Sequence, residues 1–398
     1  MTKRAFEIVS QPHPDRASRV EALKELGFGW ADLEEEQYWI DQIVALDRDV
    51  YDELHRASVT LWRVFDKAAR HIHGNHGVYE LIGIPPILWE MVDKTPLPEP
   101  GLISRYARFD FAIDQDGAIK LLELNADTPT GYVEASIATP WLCEDAGISS
   151  PNSGMGERVA AAWGAELPDT AACVAYGEHL EDSGTIEALV RHSGLDIACR
   201  DCLELYVDEG ELKDGEGRVI RRMFALYPKE WMAVDEGGDA LAYAIESGKL
   251  TLLNLPPAIL LQTKGLMAVV WGLYELGQLF DEEERTAIGR YVLPTYNKPV
   301  FDGSYVSKSM FGREGGSVRL FDDAGGLEIE DQDGYDTSVL FPTVYQKRAQ
   351  LARVETSLGE LHLLTGMFVI NGEPCGMLGR GGGPITGNAS HFIPIGVK

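Results

Sequence analysis

RYARFDFAIDQDGAIKLLELNADTPT, residues 105–130, carries two runs of alternating apolar and polar residues joined at Asp116-Gly117. Such alternation marks strands with one buried face, and Asp-Gly favours a two-residue type I′ hairpin turn. With Gln115 paired to Ala118, counting back along both strands sets Asp110 opposite Glu123 and Arg108 opposite Asn125. The four side chains then share one face of the sheet. An arginine, two carboxylates and an amide gathered there would be costly to bury without partners. Asp110, Glu123 and Asn125 offer oxygen ligands that suit Mg²⁺, which takes a few carboxylates together with phosphate oxygens and water. Arg108 stands where it can neutralise a transferring phosphoryl group. An ordinary surface sheet with a polar outer face would show the same spacing.

Outward from the hairpin the chain divides into four stretches. Residues 1–100 read as a mainly helical N-terminal part, with apolar residues at helical spacing through Val20, Leu23 and Leu26 and through Leu54, Ala57, Leu61 and Val64. Glu34, Glu35 and Glu36 read as a solvated helix face, and His71, His73 and His76 as helix-end histidines rather than a metal cluster. The Pro-rich PLPEPG at 96–101 breaks that part, and residues 101–150 hold the hairpin. Residues 151–255 alternate strand and helix patterns and read as an α/β subdomain. From 256 to 398 a helical segment gives way to strands separated by many glycines. The fold class expected is α+β.

Composition narrows the function. A net charge of −28 opposes binding to nucleic acid or to an anionic membrane, because both need a positive field. The most membrane-like segment, Leu252 to Leu273, is interrupted by Pro256, Pro257, Gln262 and Lys264. The N-terminus has no apolar run of the kind a signal peptide needs, so a cytoplasmic location is expected. Five cysteines do not suggest a disulfide framework, and the Cys199-x-x-Cys202 pair, without a second such pair, reads as structural.

In so acidic a chain, cations in glycine-rich settings stand out. Lys308 ends a short alternating run just before Phe311-Gly312-Arg313-Glu314-Gly315-Gly316, where glycines let backbone N–H groups approach phosphates and let a loop move as a lid. Lys264 interrupts an apolar stretch, and taken alone it reads equally as a snorkelling helix-end lysine. Asn371-Gly372 signals another hairpin. Beyond it Arg380, followed by three glycines, occupies a flexible, accessible setting suited to a carboxylate or acyl phosphate.

RFDF at 108–111 with LLELNADTPTGYVEA at 121–135 resembles the catalytic segment of the glutathionylspermidine synthase family, in its ATP-grasp synthetase part. LYPKEWM at 226–232, NLPPAILLQTKGLMAVVWGLY at 254–274, VSKSMFGREGG at 306–316, and GMLGR with ITGNASHFIPI near the end extend the resemblance over most of the chain. It implies an ATP-grasp fold with a pre-ATP-grasp subdomain. The acidic strands precede the nucleotide lysines, so the fold looks circularly permuted. It further implies ATP with two Mg²⁺ ions, Asp110, Glu123 and Asn125 as metal ligands, and Arg108, Arg313 and Arg380 on the reacting groups. Lys264, Lys308 and the edge Val344-Tyr345-Gln346 would hold the nucleotide. Thr128 and Thr130 match substrate-binding positions where serine is typical, and Glu181 and Asp182 match polyamine-binding carboxylates, with aspartate in place of glutamate at the second.

The activity implied is amide formation through an acyl phosphate between a peptide carboxylate, such as that of glutathione, and a polyamine or other amine. Long relatives also carry an amidase domain, for which this chain has no room. Two other readings stand beside the ligase. One is a nucleotide-binding regulatory or interaction protein without turnover; the other is a cysteine amidase using Cys143 or Cys375, neither of which has a local histidine partner.

Overall fold

The computed structural model describes residues 4–33, 36–164, 171–175, 177, 179–235, 237–313, 315–331 and 337–398. Helix and sheet are mixed throughout, as an α+β chain requires. The quoted stretch forms the expected antiparallel hairpin from Tyr106–Ile113 and Ile119–Asn125, with Arg108 opposite Asn125 and Asp110 opposite Glu123. The turn differs from the expectation. Asp114, not Gln115, pairs with Ala118 (Asp114 N–H to Ala118 O, 3.1 Å), leaving a three-residue loop with Gly117 at φ +89°. The Asp114 carboxylate accepts from the N–H groups of Asp116 and Ala118, which stabilises the longer loop. That one-residue shift is cancelled by a bulge between Phe111/Leu121 and Asp110/Glu123, so the pairing at the open end is the expected one.

The hairpin is half of a larger antiparallel sheet. Tyr106–Ile113 also pairs with Gly359–Ile370, which continues to Glu373–Gly382 and His391–Ile393 on one path and to Ala352–Thr356 on the other. Alternation along Tyr106–Ile113 divides two environments. Phe109 packs edge-on against Trp62 and Phe65 of the helix Arg48–Ile72, with ring centres 6.0 and 5.9 Å away. Arg108 and Asp110 point from the other face. The helix buries Leu54, Ala57, Leu61 and Val64 at the expected spacing, and Asp47 caps its start.

The first hundred residues contain helices and also short strands. Phe6–Ile8 and Val44–Leu46 form a small sheet with the C-terminal Ile395–Val397, so the two ends of the chain are stitched together. Glu34 and Glu35 lie outside the described residues, and Glu36 belongs to a two-residue strand rather than a helix. His73 ends the long helix, facing the Val92 carbonyl, and His76 pairs with Asp93.

Between 171 and 255 a four-stranded parallel sheet runs in the order 251–253, 222–225, 171–175, 198–201. A separate five-stranded antiparallel sheet contains Tyr305–Ser309 next to Thr343–Lys347. Among the described residues no helix is long and apolar enough to cross a membrane.

Candidate functional site

The polar face of the hairpin forms part of the wall of a cavity of about 700 Å³ that opens between the central sheet, the five-stranded sheet and the residues around Thr128. The hairpin's open end is set by two side chains from the Pro-rich apolar stretch. Asn254, at φ +57°, accepts from the N–H groups of Arg105 and Tyr106 and donates to the carbonyls of Tyr106 and Asp127. Gln262 accepts from the N–H groups of Ala126 and Asp127. The buried turn after Asn125 is thereby satisfied without a regular ladder.

On the cavity face the Arg108 guanidinium donates to both oxygens of Asp110 at 2.6 and 2.9 Å and to the Thr130 carbonyl at 2.6 Å. Asn125 Nδ2 lies 3.0 Å from Asp110 Oδ2 and 3.3 Å from Glu123 Oε1. Burial alone would raise Glu123, but the Lys264 and Lys308 ammonium groups hold it down to about 2. Two carboxylates therefore converge on one amide. Turning that amide over would aim Asn125 Oδ1 between them, an arrangement favoured only with a cation present. The donor set fits a hard divalent ion that keeps water and phosphate oxygens among its ligands. Among the described residues no group of three or more His, Cys, Asp or Glu is arranged to hold a metal without such help.

The two lysines approach from different elements. Lys264 Nζ donates to the Gly312 carbonyl at 2.7 Å and lies 3.3 Å from Glu123 Oε2, so it ties the glycine-rich loop to the hairpin. Lys308 Nζ donates to the Leu122 carbonyl at 3.1 Å, and burial pushes it down to about 8 against the pull of Glu123. Arg313, farther along the loop, donates to Thr128 Oγ1 at 2.8 Å and to Glu230 Oε1 at 2.9 and 3.1 Å. Glu230 is fully buried and its Oε2 has no hydrogen-bond partner among the described residues. Beside it, Lys229 is sealed in an ion pair with Asp127.

Of the residues that the resemblance implies for metal, nucleotide, reacting groups and substrate, all but Asp182, Val344 and Tyr345 line this cavity. Val344 is buried in the apolar core and Tyr345 turns to Tyr305; from that strand Gln346 and Lys347 reach the cavity, which continues along Arg348–Leu351. Asp182 lies near His179, with a nitrogen–oxygen separation of 3.6 Å. Arg380 is not in a flexible loop. It sits within the central strand Glu373–Gly382, opposite Leu364 and Phe392, and donates to the Gly387 carbonyl at 2.9 Å. The Asn371-Gly372 turn has the positive φ angles, +54° and +81°, that its type requires.

Sequence reasoning passed over Lys229, Glu230, Tyr38 and the Lys347–Leu351 edge. The compact charge pair inside LYPKEWM, flanked by aromatics, was the available signal for the first two. The cysteine amidase reading gains no support. Burial pushes the Cys143 thiol to about 11 and the Cys202 and Cys375 thiols to about 12, the opposite of nucleophile activation.

Comparison with known proteins agrees with these motifs. The family model described as glutathionylspermidine synthase preATP-grasp matches residues 10–398. A protein of Haemophilus influenzae named "Putative acid–amine ligase" is 26% identical over 430 aligned positions, covering 96% of this chain and 97% of the relative.

Proposed function

The chain belongs to the glutathionylspermidine synthase preATP-grasp family, and from that membership we propose that it is an ATP-dependent ligase joining a carboxylate to an amine. The observation that carries the reading is the hairpin face, where Asp110, Glu123 and Asn125 meet Arg108, Lys264 and Lys308 at one cavity wall. On this reading the central sheet is the ATP-grasp core, circularly permuted, because the metal strands precede the nucleotide lysines. The five-stranded sheet is the nucleotide lid and the parallel sheet the pre-ATP-grasp substrate subdomain.

Magnesium, when bound, neutralises phosphate charge and aligns the terminal phosphoryl group. Asp110, Glu123 and Asn125 would hold it. A substrate carboxylate oxygen attacks the γ-phosphorus, the bond to the β-phosphate oxygen breaks, and ADP departs. The amine nitrogen then attacks the acyl carbon, phosphate leaves, and the nitrogen loses its proton. Arg108, Lys264, Lys308 and Arg313 stabilise the negative charge that develops in the first displacement, and Arg380 the acyl phosphate. The Lys264 and Arg313 contacts to the Gly312 carbonyl and to Glu230 keep the loop down and would exchange for phosphate when nucleotide enters. A peptide carboxylate such as that of glutathione, paired with a polyamine, is the first combination to assay. ADP release that requires both partners supports a ligase; ATP binding with no amine-dependent ADP release from a broad panel contradicts it.

Two outcomes follow for the cations. Lys308 carries its charge below about pH 8, so nucleotide binding there needs no proton. At higher pH the free protein loses that proton and must regain it to hold phosphate. ATP affinity is expected to weaken by up to about tenfold per pH unit above this value, with proton uptake visible as a buffer-dependent calorimetric enthalpy. Lys308→Met should flatten the slope, and an unchanged slope removes Lys308 from the nucleotide site. Arg313→Ala is expected to lower kcat by about 10²-fold with a smaller change in the KM for ATP. A pure KM effect would instead make Arg313 a binding group.

A further inference from the structure

Away from the phosphate-binding wall the same cavity is bordered by Tyr38 and Glu181, and behind Tyr38 lies Glu134. Glu134 is fully buried in a short π-helical turn, Glu134–Ala138, the wide geometry often found at functional sites. Its Oε1 accepts from Trp30 Nε1 at 2.8 Å and from the Tyr38 hydroxyl at 3.1 Å. Its Oε2 has no partner among the described residues. A buried carboxylate left half satisfied costs stability, so its retention asks for a use.

The surroundings indicate the use. The Tyr38 hydroxyl spends its one proton on Glu134, so toward the cavity it presents a lone pair. Glu181, on the first turn of the helix Leu180–Ser193, adds a negative charge at the same place. That helix rests on Trp30 through Gly184, where a Cβ would come within 2.3 Å of the indole, so the carboxylate helix and the Trp30–Glu134 pair are packed as one unit. Burial, and then the charge of Glu181, raise Glu134 to about 7, a carboxyl poised to ionise when a cation arrives. Arg380 is the cation near enough to act on Tyr38, and its guanidinium is directed to the Gly387 carbonyl. The groups facing Glu134 are thus Tyr38, Trp30 and Glu181, with Arg380 beyond Tyr38.

We propose that Tyr38 and Glu134 are specificity-determining residues for a protonated amino group of the second substrate, Tyr38 by accepting its hydrogen bond and Glu134 as the positioning charge behind Tyr38. This rests on the acid–amine ligase reading, whose amine it seats. With acceptors and negative charge at one end and cations at the other, the cavity would orient a cationic amine toward the acyl phosphate.

Calorimetric titration with 1,4-diaminobutane at pH 8, against 1,4-butanediol of equal length, tests the inference by binding alone. The diamine is expected to bind and the diol not. Glu134→Gln keeps the shape and the Oε1 acceptor while removing the charge, and Tyr38→Phe removes the lone pair; each should weaken the diamine about tenfold. ATP affinity should stay unchanged in both variants. Stability separates a functional from a structural role. A carboxyl whose folded value lies above its unfolded one loses stability as pH rises from the unfolded value to about 7, so Glu134→Gln should raise Tm at pH 8 and leave it unchanged near pH 4.5. No diamine binding to the wild-type protein, equal binding of the diol, diamine affinity unaltered in either variant, or a Tm that falls in Glu134→Gln at pH 8 overturns the proposal. ADP release that proved independent of every amine would count against the ligase reading, while the diamine titration would still decide the subsite.

Discussion

Asp110→Asn combined with Glu123→Gln is expected to abolish magnesium-dependent ATP turnover, a loss on the order of 10³-fold or more. Both substitutions preserve size and leave an oxygen acceptor in place, so Asp110→Asn still offers Arg108 one hydrogen bond. What disappears is the pair of negative charges that lets a divalent cation compete with the neighbouring ammonium groups. Glu123 lies 3.3 Å from Lys264 and is held ionised by Lys264 and Lys308, so without it two lysines would face the metal position unopposed. A direct readout is Mn²⁺ binding followed by electron paramagnetic resonance in the presence of nucleotide, which should fall in parallel with turnover. Glu123→Gln alone, away from the Arg108 pair, separates ligand loss from misfolding. Retained turnover and Mn²⁺ binding in the folded double variant would mean the metal is held elsewhere.

Asp127→Asn is expected to have the largest effect on stability. The Asp127 carboxylate and the Lys229 ammonium are both sealed from solvent, and the second carboxylate oxygen also takes the Lys229 N–H at 3.0 Å. Removing one charge leaves the other buried without its counterion, which typically costs about 3–5 kcal/mol. For a chain of this length that corresponds to a fall in Tm of roughly 4–6 °C by calorimetry. Asp127→Leu combined with Lys229→Met should recover most of the loss, because neither charge is then buried. The damage also reaches the site. Asp127 lies between Asn125 and Thr128, and Lys229 adjoins Glu230, which holds Arg313; the pair therefore joins the hairpin that carries Asp110 and Glu123 to the anchor of the glycine-rich loop. A Tm unchanged in Asp127→Asn would show that the pair is not buried as described.

The hairpin was legible because strand alternation is local: Phe109 and Phe111 against Arg108 and Asp110 divide apolar from polar at a period of two. The register at the site was also legible, although by two compensating errors. The loop is one residue longer than Asp116-Gly117 suggested, because Asp114 caps its own turn, and a bulge near Leu122 absorbs the difference. No residue in that bulge announces it. The lysines and arginines were identifiable by type and glycine context, but the setting of Arg380 was not. Gly381 and Gly382 after it are the end of a paired strand, and Gly379 before it and Gly381 after it allow close approach to Ile393. Val344 and Tyr345 fell outside the cavity for a related reason. Alternation turns Tyr345 away from the face that Val344 and Gln346 share, and on that shared face Val344 is covered by the apolar core, so a run of three consecutive residues cannot all face one ligand.

By itself the sequence determined what depends on near neighbours: the mixed α+β character, the long amphipathic helix, the hairpin with its polar face, and the chemical types gathered in its motifs. Tertiary structure alone decided which charges are satisfied and by whom. Lys229 meets Asp127 across 102 positions, Arg313 meets Glu230 across 83, and Trp30 and Tyr38 meet Glu134 across 104 and 96. Periodicity reports which way a side chain points from its own element. The partner it finds, and whether water is excluded around the two, depends on how distant elements pack, and that packing sets the charge state of Glu123, Lys308 and Glu134.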